Sequence, residues 1–417
     1  MNTSVNSEFP GVVATQTVVL PTLTVSQRAA QRLRQGLPLV SRSEIVAPPQ
    51  GTGDVAIALD PRGQRLGSVL WCAQGPIAAR FLSSQCQPLD ESLLRERILA
   101  ADRRRRALYH DANPTRDAYR VVHGEADQLP GLFVDRYADA AVIQTATQAM
   151  EARKPLLVKV LQAVLGVRTV VIRDDGSARD LEQLPRSKFV ALGGPQAMVR
   201  FHDAGSQMAA DLLLDRKTGS FLDQQENHAL AADYARRLAP LGRGLDCFTY
   251  HGGFALALAQ AGLTVMACDE DPQAILRARE NAALTGCRVD FRVHNAFDLL
   301  RSLEAAGEKF DVVVVDPPAL AKRGPRDAGS HQAAMRAYKE LNLRALRLLR
   351  AGGVLVSCSC SGRVSALEFG LMLEAAALDV GRPVQILERR GAGRDHPVLC
   401  GMPETEYLKC WVLQVLT

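Results

Sequence analysis

Residues 242–269 read GRGLDCFTYHGGFALALAQAGLTVMACD. The run 241–250, LGRGLDCFTY, has the apolar character of a fully buried strand. Gly252 and Gly253 follow, then a helical run from Phe254 to Ala261 and a second strand-like run from Thr264 to Cys268. Strand, glycine turn, helix and strand form one βαβ unit. The alternation continues through helix Pro272–Leu284, strand Asp290–Val293, helix Phe297–Ala306, strand Asp311–Val315, helix Gln332–Leu349 and strand Val354–Cys358. This predicts an α/β fold with a doubly wound, Rossmann-like parallel sheet. The closing segments PVQILERRG (383–391) and EYLKCWVLQVL (406–416) add two strands, expected as an antiparallel hairpin at one edge.

Working outward, this α/β domain is expected over 206–417. Residues 98–205 alternate strand-like and helix-like runs and read as a middle α+β domain. Residues 19–97 hold short β-like runs (Val19–Leu23, Asp54–Leu59, Gly67–Cys72, Ile77–Phe81) between Pro/Gly signals, with a basic helix at Ser26–Arg34. They predict a small β-rich module. Residues 1–18 read as a flexible tail. They have no basic n-region and no clean apolar h-region, so no secretory signal is expected. From Leu89 the pattern turns helical, with Asp90 as its cap. Arg103, Arg104, Arg105 and Arg106 make this helix the densest basic spot. Either it is a solvated face or it contacts phosphate.

Composition narrows the class. The chain has 417 residues, 47% hydrophobic and 23% charged, so it is globular rather than disordered. No stretch reaches the length and apolarity of a spanning helix, which needs about 20 residues. Nine cysteines without CxxC pairs or zinc-type spacing predict reduced thiols in a cytoplasmic protein, with no metal site. The net charge of +5 is modest, but the cations are 42 Arg and only eight Lys. Arg suits bidentate phosphate contacts and base stacking.

In a doubly wound sheet, ligands bind beyond the C-terminal strand ends. There the first strand presents Asp246 and the Gly252-Gly253 turn, the second Asp269, and the third Asn295-Ala296. GxGxxG is absent, which disfavours a pyrophosphate cofactor. Asp246 suits a ligand ammonium, and Asp269 stands at the spacing that serves a ribose. A nucleoside with an amino-acid tail fits, as in S-adenosylmethionine (SAM). The fourth strand, FDVVVVDPP, ends at Asp316-Pro317-Pro318, a rigid loop with free carbonyls. Ala319 follows where amine methyltransferases carry an aromatic residue. The fifth, GGVLVSCSCSG, brings Cys358 and Cys360 to the active edge on one strand face. A thiolate there suits C5 methylation of a pyrimidine. Addition at C6 makes C5 nucleophilic.

Together GEADQLPGLFVDRY, DRKTGSFLDQQENH, LDCFTYHGGFALALAQAG, FDVVVVDPPAL, GGVLVSCSCSG and DHPVLCGMPETEYLK resemble the RlmI-type 23S rRNA 5-methylcytosine methyltransferases. The resemblance implies an N-terminal PUA domain, a middle domain and a class I methyltransferase domain. It places Lys217, Phe221, Asp223 and Gln224 against the cofactor, Asp246, Gly252 and Gly253 at its methionine part, Asp269 at its ribose, and Asn295 and Ala296 around its adenine. It puts Asp316 at the cytosine edge, with Pro317 and Pro318 beside it, and makes Cys360 the nucleophile. Asp395 and His396 of the DHP loop fall on the substrate side, with His396 as a candidate proton shuttle. The chain departs from the family pattern at Asn295, at Ala319-Leu320 and at Cys358. The expected partner is 23S rRNA, docked by the PUA module and the Arg-rich helix. A guanine N-methyltransferase of the same fold and an RNA-binding assembly factor are the alternatives.

Overall fold

Seven strands form the C-terminal sheet: β1 (Arg243–Cys247), β2 (Thr264–Asp269), β3 (Val289–Val293), β4 (Phe310–Val315), β5 (Leu349–Ser359), β6 (Val384–Arg390) and β7 (Lys409–Val415). Their order is β3-β2-β1-β4-β5-β7-β6. The first five pair in parallel. β7 runs antiparallel between β5 and β6, so the expected edge hairpin is present with its last strand innermost. Helices α1 (Gln225–Leu238), α2 (Gly253–Gln260), α3 (Pro272–Thr285), α4 (Ala296–Ala305), α5 (Ala328–Leu348) and α6 (Ala366–Val380) cover the sheet.

Strand parity assigns the two layers. Val312, Val314, Val354 and Val356 share a core with α1, α2 and α3. Val313, Val315 and Leu355 share the other with α4, α5 and α6. Both faces being covered, β4 reads as an unbroken Val run rather than an alternating one. The turns are set locally. Asp271 caps α3 by accepting from Gln273 N–H, Pro272 opens it, and Gly286 closes it at φ +67°. The sequence reading left α6 unassigned, although Ser365 and Glu368 form a capping box ahead of it and Gly381 ends it.

The computed structural model describes residues 19–50, 53–109, 116–195, 197–321 and 328–416. The expected tail 1–18 lies outside them. The chain divides into two units, Met1–Asp90 and Glu91–Thr417. The first holds a six-stranded sheet with helix Gln27–Arg34, which Ser26 caps. The second contains, besides the C-terminal sheet, a five-stranded sheet from Ala118–His123 to Ser187–Leu192 and the hairpin Met198–Asp203/Ser206–Asp211. Helix Glu91–Tyr109 is continuous, so the unit boundary falls at its start and not at 97/98. The boundary read at 205/206 coincides with the hairpin's turn, inside the second unit.

Candidate functional site

The chain leaves β1 in a strained conformation. Phe248 and Tyr250 have φ of +67° and +50°, and Gly252 has +90°. Lys217, across the same cavity, also has positive φ, at +52°. Non-glycine residues in this region cost of order 1–3 kcal/mol each and tend to gather at ligand sites. Asp246 holds the loop. Its Oδ2 accepts from Thr249 Oγ1 at 2.6 Å and from Ala255 N–H at 3.0 Å, which satisfies a free donor of the first turn of α2. Its Oδ1 has no partner. Gly253 must be glycine, because a Cβ there would collide with the His228 ring.

The cavity lies at the C-terminal ends of β1, β2, β4 and β5. Among the expected residues, Lys217, Phe221, Asp223, Gln224, Gly253, Asp269, Asp316, Pro317, Pro318 and Cys360 line it together. Phe221 packs edge-on against Tyr250 at 5.0 Å, with the Lys217 ammonium 4.1 Å over its ring. Asp269 accepts from Tyr250 N–H and Asp271 N–H, both at 3.0 Å. Gln224 donates to Asp316 Oδ2 at 3.0 Å and is itself fixed by Asn227 at 2.6 Å. Asp223 receives Lys217 at 3.0 Å and the Tyr407 hydroxyl at 2.6 Å. Buried as it is, these partners hold its carboxyl well below the usual range. Cys360 Sγ lies 3.9 Å from the Pro317 carbonyl.

The electrostatics favour a cationic guest. Burial, and then the neighbouring Asp316, push Asp246 up to about 7. Burial, and then Asp223, push Asp316 up to about 6. Burial and Asp316 push the Cys360 thiol up to about 11. A positive ligand would relieve both carboxylates and favour the thiolate.

Other expected residues stand elsewhere. Asp246 and Gly252 back the wall instead of forming it. Asn295 caps α4, its Oδ1 accepting from Phe297 N–H at 3.0 Å, and its amide reaches Glu270 at 3.4 Å. Ala296 is buried behind it. Cys358 is a correction. It shares the strand face of Cys360 but lies one pleat deeper, where its thiol meets that of Cys410, its cross-strand partner.

Asp395 and His396 do not line the cavity; they form a buried junction behind Asp223, whose carboxylate feels His396 and whose carbonyl accepts from Gly393 N–H at 2.9 Å. Asp395 accepts from Arg120 N–H at 2.9 Å and pairs with His396 Nδ1 at 2.9 Å and Arg116 at 3.5 Å. Its own N–H donates to Tyr109 Oη, and its carbonyl accepts from Arg105. In the basic run, Arg105 is buried in a two-pronged pair with Asp127 at 2.6 and 2.7 Å, so it is not a phosphate contact. Arg103, Arg104 and Arg106 are exposed, Arg104 being tied to Asp127 and Arg106 to Asp102.

The sequence reading gave no role to His228, Phe248, Tyr250 or Glu270, all of which line the cavity. His228 lay within the quoted DRKTGSFLDQQENH. Its pairing with Asp203 Oδ1 at 2.9 Å is a long-range contact that no spacing reveals.

Comparison with known proteins agrees with this architecture. Residues 23–84 match the PUA-like domain family and residues 241–384 a methyltransferase domain family. The chain is 33% identical over 383 residues to ribosomal RNA large subunit methyltransferase I of Erwinia tasmaniensis, covering 90% of this chain and 93% of that protein. It is 32% identical over 374 residues to the protein of the same name from Yersinia pestis, covering 88% and 91%. A putative SAM-dependent methyltransferase from Streptococcus mutans superposes with a TM-score of 0.77 at 16% identity, over 95% of this chain and all of that one. A putative methyltransferase complexed with SAH gives 0.76 at 17% identity, with the same coverage. The fold is that of the SAM-dependent methyltransferases.

Proposed function

The chain belongs to the ribosomal RNA large subunit methyltransferase I family, and on that premise we propose that it methylates C5 of a cytosine in 23S rRNA, using SAM and a covalent link from Cys360. The observation that carries this reading is the meeting of Cys360 Sγ with the Asp316–Pro318 loop in the wall that also holds Asp269 and the glycine loop. The site suits SAM: an unpartnered carboxylate oxygen on Asp246, a glycine turn with room for close approach, and two carboxyls raised by burial.

SAM, when bound, supplies an electrophilic methyl group on a sulfonium. The remaining work falls to the chain. The target base leaves its stack to enter the pocket. Asp316, oriented by Gln224, faces the N3/N4 edge of the base. Cys360 Sγ forms a bond to C6, and the electron pair displaced from the C5–C6 double bond makes C5 the nucleophile toward the methyl carbon. Loss of the C5 proton to a base and cleavage of the S–C6 bond restore the ring and the thiolate. The PUA-like unit serves to dock folded RNA through shape, and exposed Arg103, Arg104 and Arg106 of the second unit serve as phosphate contacts.

The test is methyl transfer from labelled SAM to unmodified 23S rRNA, with nucleoside mass spectrometry. The expected result is 5-methylcytidine with wild type and none with Cys360→Ala. A methylguanosine formed equally by both enzymes would replace this reading with guanine N-methylation.

A further inference from the structure

SAM carries a carboxylate besides its sulfonium and ammonium, and most of the cavity wall would repel it. Asp223, Asp269, Glu270 and Asp316 line the cavity. Of the basic side chains in the lining, Lys217 is paired with Asp223 at 3.0 Å and Arg216 with Asp271 at 3.2 Å. Burial, and then Arg277 and Arg216, pull His251 down to about 3, so its ring is neutral. That leaves His228, on α1.

The His228 ring is fixed on two sides. Its Nδ1 meets both oxygens of Asp203, at 2.9 and 3.0 Å, and the Phe254 ring packs edge-on at 4.5 Å. A carboxylate only accepts, so Nδ1 carries a proton. Nε2 has no hydrogen-bond partner among the described residues, and it lies over Gly253, where a Cβ would come within 2.7 Å of it. Burial opposes charge on the ring, but Asp203, and then Asp316 and Asp246, raise its pKa above the ordinary value. The protonated ring holds a second N–H, on Nε2. Beside it the head of α2 has no side-chain cap. Ala255 N–H goes to Asp246 and Leu256 N–H to the Gly252 carbonyl, while those of Gly253 and Phe254 have no partner among the described residues. Asp246 Oδ1 is also unpartnered. Free N–H donors and a free carboxylate oxygen within one turn of chain are the complement of an α-amino acid.

We propose that His228, held by Asp203, receives the α-carboxylate of SAM through Nε2–H, together with the N–H groups of Gly253 and Phe254. The Asp203–His228 pair is neutral as a whole, so the cavity gains a directed cationic donor without losing its preference for a positive guest. The inference rests on SAM as the cofactor and is independent of which base is methylated.

The test is calorimetric titration of the full chain at pH 7.5 with SAM and with decarboxylated SAM, which keeps the adenosine, sulfonium and amine and lacks only the carboxylate. The ratio of the two affinities cancels everything the ligands share. Wild type should bind SAM about tenfold or more tightly than the decarboxylated form, as befits a charge-assisted hydrogen bond. His228→Gln removes the charge. It should weaken SAM binding by about tenfold, leave the decarboxylated form within about twofold of wild type, and so bring the ratio near one. The unchanged affinity for the decarboxylated form verifies the fold. Asp203→Asn keeps a partner for Nδ1 and removes the charge that favours the second proton, and it should narrow the ratio as well. A ratio that stays at the wild-type value in either variant overturns the proposal. So does a His228→Gln variant that loses affinity for both ligands alike, since a structural role alone would do that. Equal affinities in wild type overturn the proposal without any variant and leave SAM as the cofactor. If wild type binds neither ligand, the cofactor assignment fails and the proposal falls with it.

Discussion

Asp246 and Asp316 carry the chemistry of the pocket in their protonation. Asp246 is buried and Asp316 half-buried in the cavity wall, and desolvation pushes them up to about 7 and about 6. A cationic ligand binds their ionised forms, so SAM affinity should rise as pH increases through that interval and level off above it. Calorimetry in buffers of different ionisation enthalpy should show proton release on binding near pH 6, shrinking toward pH 8. The same shift has a stability consequence of opposite sense. A carboxyl whose folded-state pKa is raised lends stability at low pH and loses it as pH rises through the folded value. Asp246→Asn keeps an acceptor for Thr249 and Ala255 but removes that loss. It should therefore melt higher than wild type at pH 8 in the absence of ligand, while binding SAM about tenfold more weakly. A variant both less stable and unchanged in affinity would contradict this account.

At the scale of elements, the glycine loop and α2 work as one piece. Strain at Phe248 and Tyr250 is held by the Asp246 bonds below and by Tyr250 above, whose hydroxyl accepts from Arg216 N–H at 2.9 Å. Gly253→Ala would drive a methyl group into the His228 ring, which Asp203 fixes in place. Overpacking of this kind costs about 1–3 kcal/mol, and relief must come from the loop itself. Gly253→Ala should thus lose SAM binding more than tenfold, with a lowered urea midpoint. Helix α6 offers a simpler case. Ser365→Ala removes its capping box and should cost about 1 kcal/mol in urea unfolding.

At the scale of the whole molecule, the Asp395 junction joins the closing loop to helix Glu91–Tyr109 and strand Ala118–His123 through Tyr109, Arg105, Arg116 and Arg120. Although burial opposes it, the contacts with His396 and Arg116 hold the Asp395 carboxyl well below its usual range. Its stabilisation is therefore present at neutral pH and disappears as pH falls through the acid range. Asp395→Asn leaves buried cations unmatched and should destabilise the second unit by about 3–5 kcal/mol, read from urea denaturation at pH 7. The proposed docking of RNA belongs to this scale. On that proposal, with Arg side chains meeting phosphates, the affinity for 23S rRNA fragments should fall steeply with salt. Arg103→Ala and Arg104→Ala should each shallow that slope, whereas a flat salt dependence would remove the phosphate role from this helix.

The sequence by itself determined the sheet, its strand succession and the strand ends that bear Asp246, Asp269, Asp316 and Cys360. Hydrophobic periodicity and glycine turns are local signals, and parallel sheets place ligands by rule at one edge. It also placed Cys358 and Cys360 on one strand face, because side chains alternate with period two. Depth along that face was another matter. Only packing of Gln224 and Cys410 over the strand decided that Cys358 is core and Cys360 is wall. Arg105 reads as a solvated or phosphate-contacting residue because charge reads as exposed, and the family resemblance puts Asp395 on the substrate side. Apart from the adjacent His396, the partners that bury them lie 22 and 275 or more residues away, and no local pattern carries that information. His228 behind Gly253 belongs to the same class. The sequence specified Asp269, Asp316 and Cys360 as groups of the site, and only the long-range contacts of the folded chain determined which others join them and in what charge state.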